Sequence, residues 1–118
     1  MAQPKHKGVK YWKDKAWEQF SLYIRITGCL KTMNRKDWGR CYTCGAQKER
    51  KDLQAGHFIP GRHPAYLFDE EQVRPQCYHC NVGLKGNWPQ YYLKMVEELG
   101  KGRVEELLTK KRETKQFK

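Results

Sequence analysis

Apolar residues recur at helical spacing near the start of the chain. Over residues 11–27 they fall three or four positions apart, which is the period of one helix face, and Gly28 follows as a helix stop. The members of this stripe are Trp12, Ala16, Trp17, Phe20, Tyr23 and Ile24. We predict a helix whose aromatic face packs on the rest of the domain, followed by a loop over residues 29–40.

The middle of the chain changes to short runs typical of strands, separated by turn residues. Residues 53–59 and 72–76 predict two strands, and Pro60-Gly61 marks a turn after the first. The charged residues 48–52 predict a turn, and residues 62–71 an irregular loop.

Two helices are predicted towards the end. Asn87 is a candidate N-cap with Pro89 in the first turn, Gly100 ends that helix, and a last helix covers about residues 103–112. The predicted organisation is a flexible basic tail (1–9), an N-terminal helix and loop (10–40), a central core (41–87), and C-terminal helices with a basic tail (88–118).

Four cysteines frame the central core. Cys41 and Cys44 form one Cys-x-x-Cys pair and Cys77 and Cys80 a second, with 32 residues between them, while Cys29 is left over. In a reducing compartment such pairs are typical zinc ligands, and a closed four-cysteine site is structural. The spacing suits a knuckle, a hairpin and a second pair at a helix start. We therefore predict an α+β fold with a zinc-stapled treble-clef core flanked by helices.

Charge separates the core from the two arms. The chain carries a net charge of +11, and residues 1–40 hold ten Lys and Arg against three acids, residues 101–118 seven against three, and residues 41–100 seven of each. Basic arms of this kind favour a polyanion, and nucleic acid in particular, over a merely solvated surface. No run is long and apolar enough to span a membrane or act as a signal peptide, so we expect a cytoplasmic protein.

His57 and Asn81 are the candidate chemical residues. His57 falls in the first predicted strand and Asn81 directly after the second cysteine pair. A neutral imidazole can take a proton from an attacking water, and an amide oxygen can bind a divalent ion. Their ordinary alternatives are a structural histidine in the hairpin and a helix-capping or surface asparagine.

Longer motifs around these residues resemble a known family. The run from Cys77 to Lys85, Cys-Tyr-His-Cys-Asn-Val-Gly-Leu-Lys, preceded by Gly56-His57, resembles the HNH endonucleases of the ββα-metal class. Together with Gln-Ala-Gly-His-Phe-Ile-Pro-Gly-Arg-His at residues 54–63, it looks like the NinG (Rap) recombination proteins of lambdoid phages. The resemblance covers about residues 40–92.

That resemblance implies a DNA endonuclease acting on branched recombination intermediates such as Holliday junctions and D-loops. It places His57 as general base, Asn81 as a ligand of a catalytic Mg²⁺ or Mn²⁺ ion, and Gln72 at the middle motif position, where Asn is usual. Position 56, usually a metal ligand in the family, is glycine here. Gln54, His63, Asp69 and Glu70 are the candidate replacements; alternatively His57 holds the ion and His63 is the base.

DNA contacts are expected from Arg62, Arg74 and Lys85, because cationic side chains suit phosphate oxygens; ordinary surface charge is the alternative for each arginine. The two-fold relation of a junction favours a homodimer, with the aromatic helix as its interface, and other phage recombination proteins are expected partners. The competing functions are a non-catalytic zinc module that binds DNA or RNA, favoured by Gly56 and Gln72, and a protein–protein adaptor.

Overall fold

Three helices surround two small antiparallel hairpins. The computed structural model describes residues 8–61 and 66–116, with the side chains of the last helix described up to Lys110. The helices are α1 (Val9–Met33), α2 (Trp88–Leu99) and α3 (Lys101–Gln116); the strands are β1 (Trp38–Arg40), β2 (Gln47–Glu49), β3 (Leu53–His57) and β4 (Val73–Cys77). The α+β class predicted from the sequence is confirmed for this part of the chain. Residues 1–7 of the predicted tail lie outside it.

The first helix does not stop at Gly28, so that prediction was wrong. It continues to Met33 and ends at Asn34, which takes a left-handed conformation with φ 54° and donates its N–H to the Leu30 carbonyl. Gly28 serves a different purpose, because a Cβ at this position would overlap Cγ of Pro75 on β4. The glycine lets the helix lie directly against the strand.

The predicted loop over residues 29–40 was correct only for residues 34–37. Its first five residues belong to α1, and its last three form β1, which pairs antiparallel with β2. Cys29 is completely buried, and a Cβ on Gly39 would lie 2.7 Å from its sulfur. This hairpin therefore uses another glycine to approach α1 closely.

The aromatic stripe of α1 is only partly a core face. Trp12 and Tyr23 remain about half exposed, at 51% and 47%, whereas the buried residues of the helix are Ile24 and Cys29. The expectation that the whole stripe packs inward was thus too broad. Helix α1 instead lies across both hairpins and contacts β1, β3 and β4.

The central hairpin follows the sequence prediction closely. Strands β3 and β4 pair antiparallel with Gln54 opposite Gln76 and Gly56 opposite Arg74. Both strands were predicted, with ends displaced by one or two residues. Because side chains alternate along a strand, Gln54 and Gly56 share one face of β3, and the side chain of His57 projects from the opposite face.

Helices α2 and α3 pack against each other and close the main hydrophobic core. Asn87 occupies the predicted N-cap position, but its φ is 48° and its side chain makes no capping bond. Gly100 ends α2 as predicted, with φ 89°, and α3 begins earlier and runs longer than predicted. The buried members of this core are Phe58, Ile59, Tyr66, Tyr91, Met95, Val104 and Leu107. In the described residues, no helix is long and apolar enough to cross a membrane.

Candidate functional site

The four paired cysteines converge on one point. Their sulfur atoms all lie within 4.8 Å of one another, and the sulfurs of Cys44 and Cys77 are 3.8 Å apart. A tetrahedral zinc site with bonds of about 2.3 Å has sulfur–sulfur edges of about 3.8 Å, whereas a disulfide needs about 2.05 Å. The cluster could therefore hold a metal ion such as zinc, as the sequence predicts.

Local hydrogen bonds prepare the first cysteine for a metal. Burial raises the pKa of the Cys41 thiol, but the Thr43 hydroxyl and neighbouring backbone N–H groups outweigh it and lower the pKa to about 6. The pKa of Cys44 is raised to about 12, first by burial and then by the nearby Cys41. Four crowded thiols resist ionising together, so a divalent cation is the natural neutralising partner.

The second cysteine pair positions Asn81. After β4 the chain enters a π-helical turn, His79–Gly83, whose Cys80 is completely buried in the cysteine cluster. Asn81 follows directly, is half-buried, and donates its side-chain Nδ2 to Gln54 Oε1 at 2.7 Å. A Cβ on Gly56 would lie 3.0 Å from Asn81 Oδ1. The structure thus brings Asn81 to the strand just before His57.

His57 is the last residue of β3 and is held on two sides. Its ring stacks on Trp17 of α1, with ring centroids 5.2 Å apart and planes 16° from parallel. Its Nε2 lies 3.1 Å from the Leu67 carbonyl oxygen. A carbonyl oxygen only accepts, so Nε2 carries hydrogen, and in the neutral ring the lone pair lies on Nδ1.

Helix α2 fixes the backbone of β3 next to His57. Tyr91 is completely buried and donates its hydroxyl to the Gly56 carbonyl at 2.7 Å. The same hydroxyl lies 3.4 Å from the carbonyl of Gln72. The main core therefore holds β3 and the residue just before β4 at the level of the candidate site.

Gln72 and two acidic neighbours form a separate group. Gln72 is buried and donates Nε2 to Asp69 Oδ2 at 2.9 Å. Glu70 accepts a hydrogen bond from Tyr23 at 2.7 Å on the opposite flank of α1. Asp69 and Glu70 line a groove there with Arg74, away from Asn81. The structure does not bring these acids to position 56.

The predicted phosphate-binding residues have different surroundings. Arg74 donates to Glu98 Oε1 at 3.2 Å and to the Glu70 carbonyl at 2.9 Å, and its side chain is only 14% exposed. Lys85 is exposed. Arg62 and His63 lie outside the described residues, so their DNA-binding and catalytic roles stay predictions.

A groove between α1 and β3 adds residues that the sequence did not single out. It encloses about 380 Å³ and is lined by Trp17, Ser21, Arg25, Leu53, Gln54, Ala55 and Asn81. Arg25 is half-buried there and donates Nε to the Ser21 carbonyl. In the sequence, the only sign that Arg25 faces this groove is its spacing of four and eight residues from Ser21 and Trp17, which puts all three on one side of the helix. The guanidinium of Arg25 and the side-chain amide of Asn81 therefore line the same groove.

Comparison with known proteins identifies the family. The sequence profile of the family described as Bacteriophage Lambda NinG protein matches residues 2–118. The chain belongs to the NinG family. It is 28% identical to Protein ninG of Salmonella phage P22 and 26% identical to Protein ninG of Escherichia phage 933W, each over 98 residues.

These alignments cover 82% of this chain but 44% of each relative, so the chain spans less than half the length of the curated NinG proteins it matches. No solved structure is significantly similar to it. The relatives' names state the family and give no activity.

Proposed function

We propose that this NinG chain is a metal-dependent, structure-directed DNA endonuclease that cuts branched recombination intermediates such as Holliday junctions and D-loops. The observation that carries the proposal is that Asn81 bonds to Gln54 and lies beside Gly56, the residue before His57. Because His57 leaves β3 on the other face, we place the scissile phosphate at the end of the strand, where both side chains can reach it. We assign the β3–β4 hairpin and the following turn to the ββα-metal class with HNH-like chemistry. The cysteine cluster then acts as a structural zinc site that holds the turn against the strand.

His57 is proposed as the general base. The Leu67 carbonyl holds the hydrogen on Nε2, so the lone pair of the neutral ring lies on Nδ1, and we assign this atom to accept the proton of the attacking water. Stacking on Trp17 fixes the plane of the ring, so the lone pair keeps a constant direction. A base held in place in this way contributes typically 10²- to 10⁴-fold to the rate.

The donor chemistry beside Gly56 fits a hard divalent ion. Carbonyl oxygens and water suit Mg²⁺ and Mn²⁺, and Asn81 turns Oδ1 towards this space because its Nδ2 is bound to Gln54. When bound, such an ion would stabilise the negative charge that develops on the phosphate oxygens. The protein's own contribution is the hydrogen bond that Asn81 donates to Gln54, which holds Asn81 with its Oδ1 directed towards the proposed ion site.

DNA binding is proposed along the basic arms and the groove. Arg25 lines the same groove as Asn81, and Lys85 is exposed after the π-helical turn. Arg74 is less suited to phosphate than the sequence suggested, because Glu98 already engages its guanidinium. A homodimer joined through α1, and contacts with other phage recombination proteins, are part of the proposal.

Cleavage of defined DNA structures tests the function. A four-way junction, a D-loop and a linear duplex are incubated with the zinc-loaded chain and either Mg²⁺ or Mn²⁺. We expect cuts near the branch points, and we expect Asn81→Ala to bind the junction but cut it at least about tenfold more slowly. If the protein binds DNA but cuts none of the three substrates, the nuclease proposal fails and a non-catalytic binding module remains as the alternative.

That alternative is a non-catalytic, zinc-stabilised module that binds DNA or RNA. Gly56 favours it, because position 56 offers no side-chain ligand where the nuclease class usually has one. The module predicts the same salt-dependent binding but no divalent-ion requirement.

A further inference from the structure

One buried oxygen atom next to Asn81 lacks a hydrogen-bond partner. Gln76 of β4 is completely buried, and within the described part of the chain its Oε1 makes no hydrogen bond. An unsatisfied buried carbonyl typically costs about 1–3 kcal/mol, so its presence in a small domain calls for a physical reason. No sequence pattern singled out this residue.

The orientation of the Gln76 amide is fixed by its other end. Its Nε2 donates to the Gly86 carbonyl at 2.9 Å and to Thr43 Oγ1 at 3.1 Å. Since the carbonyl of Gly86 only accepts, the amide cannot be turned around without losing this bond. The Thr43 hydroxyl lies 3.3 Å from the sulfur of Cys41, so the cysteine cluster helps to aim the amide.

The oxygen lies where a side chain of residue 56 would begin. A Cβ on Gly56 would overlap Gln76 Oε1 and would lie 3.0 Å from Asn81 Oδ1. Gly56 is not among the glycines with positive φ, so its backbone does not itself require glycine. Glycine is required here because the Gln76 amide occupies the space.

We propose that Gln76 Oε1 is a ligand of the divalent ion, together with Asn81 Oδ1, in place of a side chain at position 56. This inference rests on the proposed nuclease function and specifies its metal site. Two neutral amide oxygens give a weak site, since Mg²⁺ normally relies on carboxylates and phosphates for its protein contacts. The ion should therefore bind much more tightly once a DNA phosphate is present.

Moving the proposed metal ligand from Gln76 on β4 to position 56 on β3 tests the assignment of Gln76 as a ligand. Mn²⁺ binding to the zinc-loaded full chain is measured by electron paramagnetic resonance, without DNA and with an uncut junction containing a phosphorothioate at the expected site. Gln76→Ala should weaken Mn²⁺ binding about tenfold or more. The double variant Gly56→Asp/Gln76→Ala should restore it, because removing the amide makes room for a carboxylate at position 56.

A charge control accompanies the exchange. Gln76→Glu keeps the size of the side chain and adds a carboxylate, but it gives up the Nε2 hydrogen bonds to Gly86 and Thr43. The folded variant should bind Mn²⁺ about tenfold more tightly than the wild type. Gln90→Glu adds the same charge on the exposed surface of α2 and should bind Mn²⁺ as the wild type does. Zinc content and circular dichroism confirm that each variant is folded.

The outcomes separate this site from the nuclease function. If Gln76→Ala is folded and binds Mn²⁺ like the wild type, or if Gln76→Glu gives no tighter binding than Gln90→Glu, Gln76 is not a ligand. The Glu variant decides the question even if the Ala variant unfolds. Mn²⁺ binding with the expected pattern but no DNA cleavage would retain the site and overturn the nuclease.

Discussion

Removing one cysteine of the cluster should unfold the centre of the domain, whereas removing another equally buried cysteine should not. Cys80 and Cys29 are both completely buried, but only Cys80 belongs to the four-sulfur cluster. The comparison of Cys80→Ala with Cys29→Ala therefore keeps burial and residue type constant. The main difference between them is the contribution of the metal.

The two expected losses differ several-fold. A structural zinc ion contributes about 10–16 kcal/mol of apparent folding free energy, while a domain of this size has a net stability of about 5–15 kcal/mol. Weakening the site by one thiolate can thus cancel most of the stability. Cys29→Ala removes one buried sulfur and should cost about 1–2 kcal/mol, equivalent to a decrease in Tm of a few degrees up to about 10 °C.

Zinc content and thermal unfolding measure the difference. The wild type and Cys29→Ala should each contain one zinc per chain and show a cooperative transition that a chelator abolishes. Cys80→Ala should lack stoichiometric zinc and any such transition. If Cys80→Ala keeps one zinc and melts close to Cys29→Ala, the cluster does not stabilise the fold and the structural role of zinc is refuted.

Three further outcomes follow from individual contacts. Gly28→Ala should lower the free energy of unfolding by about 1–3 kcal/mol because its Cβ overlaps Pro75, whereas Gly102→Ala, with nothing within 4 Å, should leave it unchanged or raise it by up to about 1 kcal/mol; equal Tm values would contradict the close packing of α1. Hydrogen bonds from Arg103 lower the pKa of Glu71 from its ordinary 4.5, so this pair stabilises the fold at neutral pH and loses its effect as the carboxylate is protonated. Denaturation of Glu71→Gln should show a loss at pH 7 that shrinks as the pH falls below 4.5 and disappears below the lowered pKa of Glu71; a loss independent of pH would refute it. Junction affinity should fall linearly on a log–log plot against salt concentration, and a flat titration would argue against phosphate contacts by the arms.

Local signals in the sequence were sufficient for the central hairpin and for the end of α2. Short runs between turn residues, together with the Pro60-Gly61 turn signal, predicted β3 and β4 because turn residues mark the ends of a strand directly in the sequence. Gly100 ends α2 because its positive φ of 89° favours glycine. The spacing of the cysteines predicted that the four sulfurs meet, because the geometry of a zinc site restricts the spacing of its ligands.

The errors arose where tertiary contacts decide the structure. A glycine such as Gly28 can either end a helix or let a helix lie close to a strand, and the sequence around it is the same in both cases. The contact with Pro75, 47 positions later, shows that the second role applies here. Strand β1 has three residues and depends on pairing with β2. Gln76 was overlooked because a buried amide leaves no periodic or motif signal, and its significance depends on Gly56 across the hairpin.

The rate of junction cleavage by His57→Ala is the most direct test of the central claim, that the cysteine cluster frames a nuclease site at the end of β3. Single-turnover rates are measured with Mn²⁺ on a synthetic four-way junction, with junction affinity and zinc content determined for each protein. The account predicts cleavage by the wild type and a rate at least about 100-fold lower for His57→Ala at unchanged affinity. Equal rates for the two proteins, or no cleavage by a zinc-loaded wild type that binds the junction, would contradict it.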